Sequence, residues 1–308
     1  MKHIGHFLLS AVIVLCSVIV LDIAAGKVLN RMLPQVSPQT AIGKTYFALN
    51  EVNTPVVIVG SSRASHHYIS QMIEDSLGKD TYNVGRDGCF FSDNICVINS
   101  ILDRYCPEII IWELSSSSLY ESNDDPLDNL YPYYNENLWI TEMINLKEDR
   151  TIRLCLKSHL YKNNSKILRI CMRLLTNSGE LDPDKGYEPL IPRNWIAASK
   201  TDTSTQENKI DLLKMKMLKN IVERAKKEGA ELIVVDSPIY SERCNIESLP
   251  NNNPIQEILS ENDIRYLDNR YIDKFVLHSE YFNDRTHLNS VGAEVYTTYF
   301  LEEIKNLY

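Results

Sequence analysis

The stretch Val56-Val57-Ile58-Val59-Gly60-Ser61-Ser62-Arg63-Ala64-Ser65-His66-His67 opens with four β-branched residues, passes through a glycine and two serines, and continues as polar residues. It reads as a short buried strand, a tight turn and the opening of a helix. A serine at the carboxyl end of a strand stands where open α/β sheets gather ligands and reacting groups, so its hydroxyl is a candidate nucleophile. The same pattern describes an ordinary strand-to-helix turn with a serine N-cap. The stretch alone leaves both readings open, and the residues that bear on the choice lie some 220 positions later, in Asn283-Asp284-Arg285-Thr286-His287-Leu288-Asn289.

Outward from this stretch, strands and helices alternate. Ile69–Leu77 is predicted helical with Gly78 near its end, Thr81–Val84 a second strand, Ile95–Tyr105 a helix that stops before Pro107, and Ile109–Trp112 a third strand, apolar throughout as when both faces are buried. This order predicts a parallel sheet with right-handed crossovers. Regularity lapses over residues 120 to about 205, a Tyr-rich segment expected to be a largely helical insertion bordering the crevice. Between Lys147 and Arg173 it carries eight Lys/Arg against two acids. That cluster is either a solvated helical face or a surface for an anionic glycan or lipid headgroups. Beyond it, Lys209–Lys227 is a helix ended by Gly229, Glu231–Asp236 a fourth strand, Ile255–Leu259 a helix, Ile264–Leu267 a fifth strand, and Val291–Leu307 a last helix capped by Asn289 or Ser290.

The first residues differ from all of this. Phe7 to Gly26 is an apolar run with a single charge, Asp22, near its far end, long enough to span a bilayer. A membrane anchor over residues 1–26 is expected, with a cleaved signal peptide as the competing reading because Ile23-Ala24-Ala25-Gly26 offers small residues. Residues 27–54, with Pro34 and Pro38, read as a short stalk leading to a domain over 55–308. With the N-terminus inside, that domain lies on the extracytoplasmic side of the cell membrane.

The chain has 308 residues, 44% of them hydrophobic, and a net charge of −9, which argues against a general nucleic-acid binder. Seven cysteines show no Cys-x-x-Cys spacing, so a metal site is not expected. Cys16 belongs to the apolar run; in an exported domain the other six allow one or two disulfides that sequence cannot pair, buried free thiols being the expected state of most.

Ester chemistry through serine needs a nucleophile, a base, a group that orients the base and donors for the oxyanion. Asp284 and His287, three apart just ahead of a capped helix, can bring a carboxylate to an imidazole nitrogen. Gly60-Ser61-Ser62 after a strand, Asn83-Val84-Gly85-Arg86-Asp87-Gly88 after the second strand, and Asp284 to Asn289 followed by Gly292 resemble blocks of the SGNH/GDSL hydrolases. With Asp184-Lys185-Gly186-Tyr187, they are similar to a membrane-anchored branch of SGNH-like proteins common in Bacteroidetes. The resemblance covers about residues 55–118 and 205–308. It implies a three-layer α/β/α, flavodoxin-like fold, with Ser62 as nucleophile, His287 as general base and acid, and Asp284 orienting the imidazole. It also implies oxyanion donation from the backbone N–H groups of Ser62 and Gly88.

The chain departs from that pattern at three places. Ser61 stands where the family has Asp, Arg63 where it has Leu, and Glu113-Leu114-Ser115-Ser116-Ser117-Ser118 replaces its Gly-x-Asn-Asp, so that Ser117 falls at the position of the third oxyanion donor. His66 and His67 read as polar residues at a helix start, and Glu113 as a carboxylate beneath the site or in solvent. The expected activity is an esterase or O-acetyltransferase acting on an acylated carbohydrate of the envelope, or another small ester, without metal or organic cofactor. The alternative is a non-catalytic glycan-binding or envelope-assembly protein that keeps the same crevice.

Overall fold

A computed structural model describes residues 2–121, 125–164, 166–167, 182–195, 209–241 and 254–305. The chain forms two compact units, one made of Met1–Tyr46 with Asp128–Leu181, the other of Phe47–Leu127 with Asp182–Tyr308.

The larger unit holds a five-stranded parallel sheet in the order β2-β1-β3-β4-β5. Its strands are β1 (Val56–Gly60), β2 (Thr81–Asn83), β3 (Ile109–Glu113), β4 (Glu231–Asp236) and β5 (Arg265–Asp268). All five predicted strands are present, and the order is the doubly wound, flavodoxin-like one. Residues of alternating parity serve the two faces. Val56, Ile58, Ile109, Ile111, Ile233 and Val235 pack with Tyr68, Ile73, Tyr296 and Phe300 in one buried cluster. On the other face Trp112 stacks on Phe91. Both faces being covered, the central strands tolerate the continuous apolar runs that marked them in the sequence.

The helices of this unit that matter for the site are α3 (Ser62–His67), α4 (Ser70–Leu77), α5 (Phe91–Arg104), α9 (Leu212–Glu228), α10 (Pro254–Glu261) and α11 (Ser290–Lys305). α5 begins four residues before the predicted Ile95. Its first turn is capped from a distance: Asp125 accepts both the backbone N–H and the hydroxyl of Ser92. α9 begins three residues after the predicted Lys209, because Ile210 bridges to Tyr120 and Asp211 then caps the helix, accepting from the N–H groups of Leu213 and Lys214. Asn289 accepts the N–H of Gly292 and so caps α11.

The Asp184-Lys185-Gly186-Tyr187 motif is sewn along β2. The Asn83 N–H donates to the Lys185 carbonyl at 2.9 Å, and the Tyr82 hydroxyl donates to Asp182 at 2.7 Å. Gly186, at φ +83°, lies against Asn83 so closely that a Cβ would sit 1.9 Å from its carbonyl oxygen.

In the smaller unit, α1 (Lys2–Met32) contains the helical run long and apolar enough to cross a bilayer. Its large apolar side chains from Ile4 to Leu21 are exposed, whereas Leu29, Leu33 and Val36 are buried against Ile42, Tyr46 and Ile167. Residues 27–36, expected as stalk, are therefore helix and packed turn. α2 (Ala41–Asn50) carries the chain on to the larger unit. Helices α6 (Leu138–Lys147), α7 (Arg150–Cys155) and α8 (His159–Asn163) follow within the smaller unit. The described cysteines, Cys16, Cys89, Cys96, Cys106 and Cys155, are free thiols, two of them buried; Cys171 and Cys244 lie outside the described residues, as do Arg169 and Arg173 of the basic cluster.

Candidate active site

Register places the site. Gly60 on β1, Glu113 on β3 and Val235 on β4 are paired across the sheet, so residues 61–63 and 114–118 leave it together at its carboxyl edge, beside Asp236 at the end of β4. This is where strand order reverses between β1 and β3, the position at which doubly wound sheets open a crevice. A cleft of about 520 Å³ lies there, lined by Ser62, His287, Asn94, the serines 115–118, Arg270 and Tyr271 among others. Gly60 is required by proximity: a Cβ there would meet the Ala64 and Glu113 Cβ atoms at 2.6 and 2.8 Å. α3 can thus fold back tightly and present Ser62 as its first residue.

Ser62, His287 and Asp284 come together. The Ser62 hydroxyl and His287 Nε2 are 2.7 Å apart, and His287 Nδ1 is 2.8 Å from Asp284 Oδ2. With Nδ1–H donating to the carboxylate, Nε2 presents its lone pair to the hydroxyl. Burial pushes the Asp284 carboxyl up. The His287 imidazole and the N–H groups of Thr286 and His287 outweigh that, holding it well below the usual carboxylate range. It is an anion at neutral pH.

The loop bearing this pair is tied at both ends. The Asn283 N–H donates to the His287 carbonyl at 2.8 Å. The Leu288 N–H donates to Nε2 of the fully buried His67 at 3.0 Å, which makes Nε2 an acceptor and leaves Nδ1–H to donate to the Ser237 hydroxyl at 2.7 Å. Burial first, then the neighbouring Arg63 charge, hold His67 well below its ordinary pKa, so it serves as a neutral brace. His66 instead donates from Nδ1 to the Glu188 carbonyl and sets Nε2 3.1 Å from Asp87.

Beneath Ser62, Arg63 Nη2 lies 2.8 Å from both Glu113 and Asp236, all three side chains being buried. Glu113 also accepts from the Tyr68 hydroxyl at 2.5 Å, and Asp236 from the Ser116 N–H at 2.8 Å. This arginine therefore joins the ends of β1, β3 and β4 from below. Burial raises the Glu113 carboxyl against the opposing pull of Arg63.

The remaining sequence-predicted groups stand further from this chain of bonds. Gly88 lies in the exposed loop before α5, at φ +69°, outside the residues lining the cleft. Ser117 lines the cleft but shares a 2.9 Å hydrogen bond with Ser115. Sequence reading passed over Asn94, which is 3% exposed on the cleft wall, with its side-chain carbonyl oxygen lacking a hydrogen-bond partner. The only signal for it was its position in the first turns of a helix following the Gly88 loop. His67 and Arg63 were equally hidden, since their partners lie from 50 to more than 200 residues away.

No protein-family model and no curated protein sequence matches the chain. Among solved structures it is similar to a lipase/acylhydrolase from Enterococcus faecalis (10% identity, 82% of this chain and 95% of that one, TM-score 0.39). It is also similar to TesA (10%, 82% and 99%, TM-score 0.39) and to the psychrotrophic esterase EstA from Pseudoalteromonas sp. (9%, 82% and 97%, TM-score 0.36). Likenesses this loose carry no weight for function, which must be read from the side chains.

Proposed function

We propose that the protein is a serine-dependent acyl-ester hydrolase or O-acyltransferase of SGNH type. The observation that supports this most directly is the unbroken chain Ser62 Oγ, His287 Nε2, His287 Nδ1, Asp284 at 2.7 and 2.8 Å, open to a cleft. Ser62 Oγ attacks the acyl carbonyl while its proton passes to His287 Nε2, and Asp284 stabilises the resulting imidazolium. The oxyanion is held by the Ser62 N–H; of the further donors that the motif positions suggest, Gly88 lies outside the cleft lining and the Ser117 hydroxyl is shared with Ser115. Asn94 is the cleft-wall amide able to take the part of the missing Asn. His287 then returns the proton to the departing alcohol, and water or a second hydroxyl, deprotonated by the same imidazole, releases the acyl group from Ser62.

A polyhydroxylated substrate is favoured by the walls. Four serines in succession, Arg270 and Asn94 offer hydrogen bonds, and Phe90 and Tyr271 offer aromatic surface. An O-acetylated envelope glycan fits such a mixed lining, and no metal or organic cofactor enters the reaction as written. We place the domain outside the cytoplasmic membrane with α1 as an uncleaved anchor. In support, Asp22 accepts from the Ser158 hydroxyl and the N–H groups of His159 and Leu160, so α1 is built into the folded unit rather than dispensable to it.

The test is exposure of the detergent-solubilised full chain to a small acetyl ester and to a serine-directed fluorophosphonate, beside Ser62→Ala. Turnover and labelling that vanish in Ser62→Ala are expected. Labelling that survives the substitution removes Ser62 as nucleophile. Absence of both in the parent chain assigns the cleft to glycan binding without turnover.

A further inference from the structure

We propose that the segment Arg150–Tyr161 is a second membrane contact, lying on the headgroups of an anionic bilayer beside the point where α1 leaves it. The proposal rests on the reading of α1 as an anchor. The exposed apolar stretch of α1 from Ile4 to Leu21 measures about 27 Å at 1.5 Å per residue, close to the thickness of a bilayer's hydrocarbon core. Asp22 then marks the level of the headgroups, where a carboxylate first becomes tolerable.

The depth of α8 follows from bonding. Asp22 accepts from Ser158 and from the N–H groups of His159 and Leu160, at 2.7 to 2.9 Å. One turn further along α1, a Cβ on Gly26 would meet the His159 ring at 2.4 Å, so that ring packs directly on the backbone of α1. The start of α8 is therefore held at the level of Asp22, and side chains there meet lipid headgroups.

Those side chains are suited to that level. Leu160 and Tyr161 are 42% and 38% exposed, and Leu154, four residues before Ser158, is 63% exposed. Single exposed leucines are ordinary on a protein surface. Three large apolar residues within eight positions, fixed at the end of an apolar span, are not. Lys157 lies among them, and Arg150 and Arg153 just before them. The nearby acids are directed inward: Glu148 accepts from the Tyr131 hydroxyl, Asp149 caps α7 through the Ile152 N–H, and Asp22 is bonded to the start of α8. Apolar and aromatic side chains set beside basic ones are the composition that interfacial segments use on anionic lipid. The part of the basic cluster that this segment carries thus faces lipid.

The test reconstitutes the full chain in nanodiscs of phosphatidylcholine alone or with phosphatidylserine, with Leu160→Trp and, separately, Leu154→Trp as reporters. Lipids brominated near the headgroup end of the acyl chains are expected to quench the added tryptophan emission about twofold. Deuterium uptake across residues 150–163 is expected to slow about tenfold when phosphatidylserine is present, and the triple variant R150E/R153E/K157E abolishes that lipid dependence. A chain that stays in the membrane through alkaline carbonate, yet shows no quenching at either reporter, overturns the contact while leaving the anchor. Protection that grows with protein concentration and shows no quenching assigns the face to a second copy of the chain and overturns the proposal. Release by carbonate overturns anchor and contact together.

Discussion

Nε2 of His67 accepts the backbone N–H of Leu288, the residue next to His287, at 3.0 Å. The helix that begins with Ser62 thereby grips the loop that delivers its base, and the distance between hydroxyl and imidazole is set by a third, buried side chain. Replacing His67 by Ala leaves the Leu288 N–H and the Ser237 hydroxyl unpaired in the interior. Turnover is expected to fall about tenfold or more from misplacement alone, with KM little changed. His67→Gln, which keeps an amide at the same reach, should recover part of the loss in kcat.

The same residue predicts an acid limit to stability. His67 is neutral when folded, its pKa lying below the ordinary value near 6.5, whereas the unfolded chain takes up a proton at that position as pH falls through about 6.5. The unfolded state then binds more protons, so folding weakens on acidification by up to about 1.4 kcal/mol per pH unit until the folded pKa is reached. Urea titrations from pH 7 to 5 should show this slope in the parent and a shallower one in His67→Gln.

Asp284→Asn should lower kcat about 10⁴-fold, because an amide no longer fixes Nδ1–H or stabilises the imidazolium. Ser62→Ala should abolish fluorophosphonate labelling. Labelling rates in the Asn variant measured against pH separate a lost tautomer from lost folding, which circular dichroism checks independently.

Arg63 sits between two buried carboxylates, Glu113 and Asp236. Arg63→Met strands Glu113 and leaves Asp236 to Arg270 alone, 3.5 Å away, and should cost about 3–5 kcal/mol in denaturant unfolding. Adding Glu113→Gln to Arg63→Met removes the stranded charge and should restore part of that loss. If the two substitutions simply add, the carboxylates are not coupled through the guanidinium.

For the third oxyanion donor, Asn94 and Ser117 make opposite predictions. Loss of a true donor costs about 10²–10³ in kcat with little change in KM. We expect that for Asn94→Ala, and close to parental rates for Ser117→Ala, whose hydroxyl is already shared with Ser115.

The fold was legible because its evidence is local. The runs at Val56, Ile109 and Glu231 declare buried parallel strands, and Gly78, Gly229 and Asn289 punctuate helices through their own backbone preferences. The juxtaposition of Ser62 with His287 was legible only through motif order. The bracing beneath it was not, because Arg63, His67 and Asn94 acquire their meaning from partners or cavities supplied by distant segments. Helix starts failed for the same reason: α5 starts early because Asp125 caps it from 33 residues away, a contact that no local window contains.

Ser62 and His287 are 225 residues apart in sequence, yet are joined by a single hydrogen bond. During synthesis, the helix bearing the hydroxyl emerges long before the imidazole it pairs with. On the function proposed above, a chain still being made is therefore a latent hydrolase. Reactivity arrives only with the docking of the final helix, and any nascent or C-terminally shortened product is silent toward esters in the compartment where it is made.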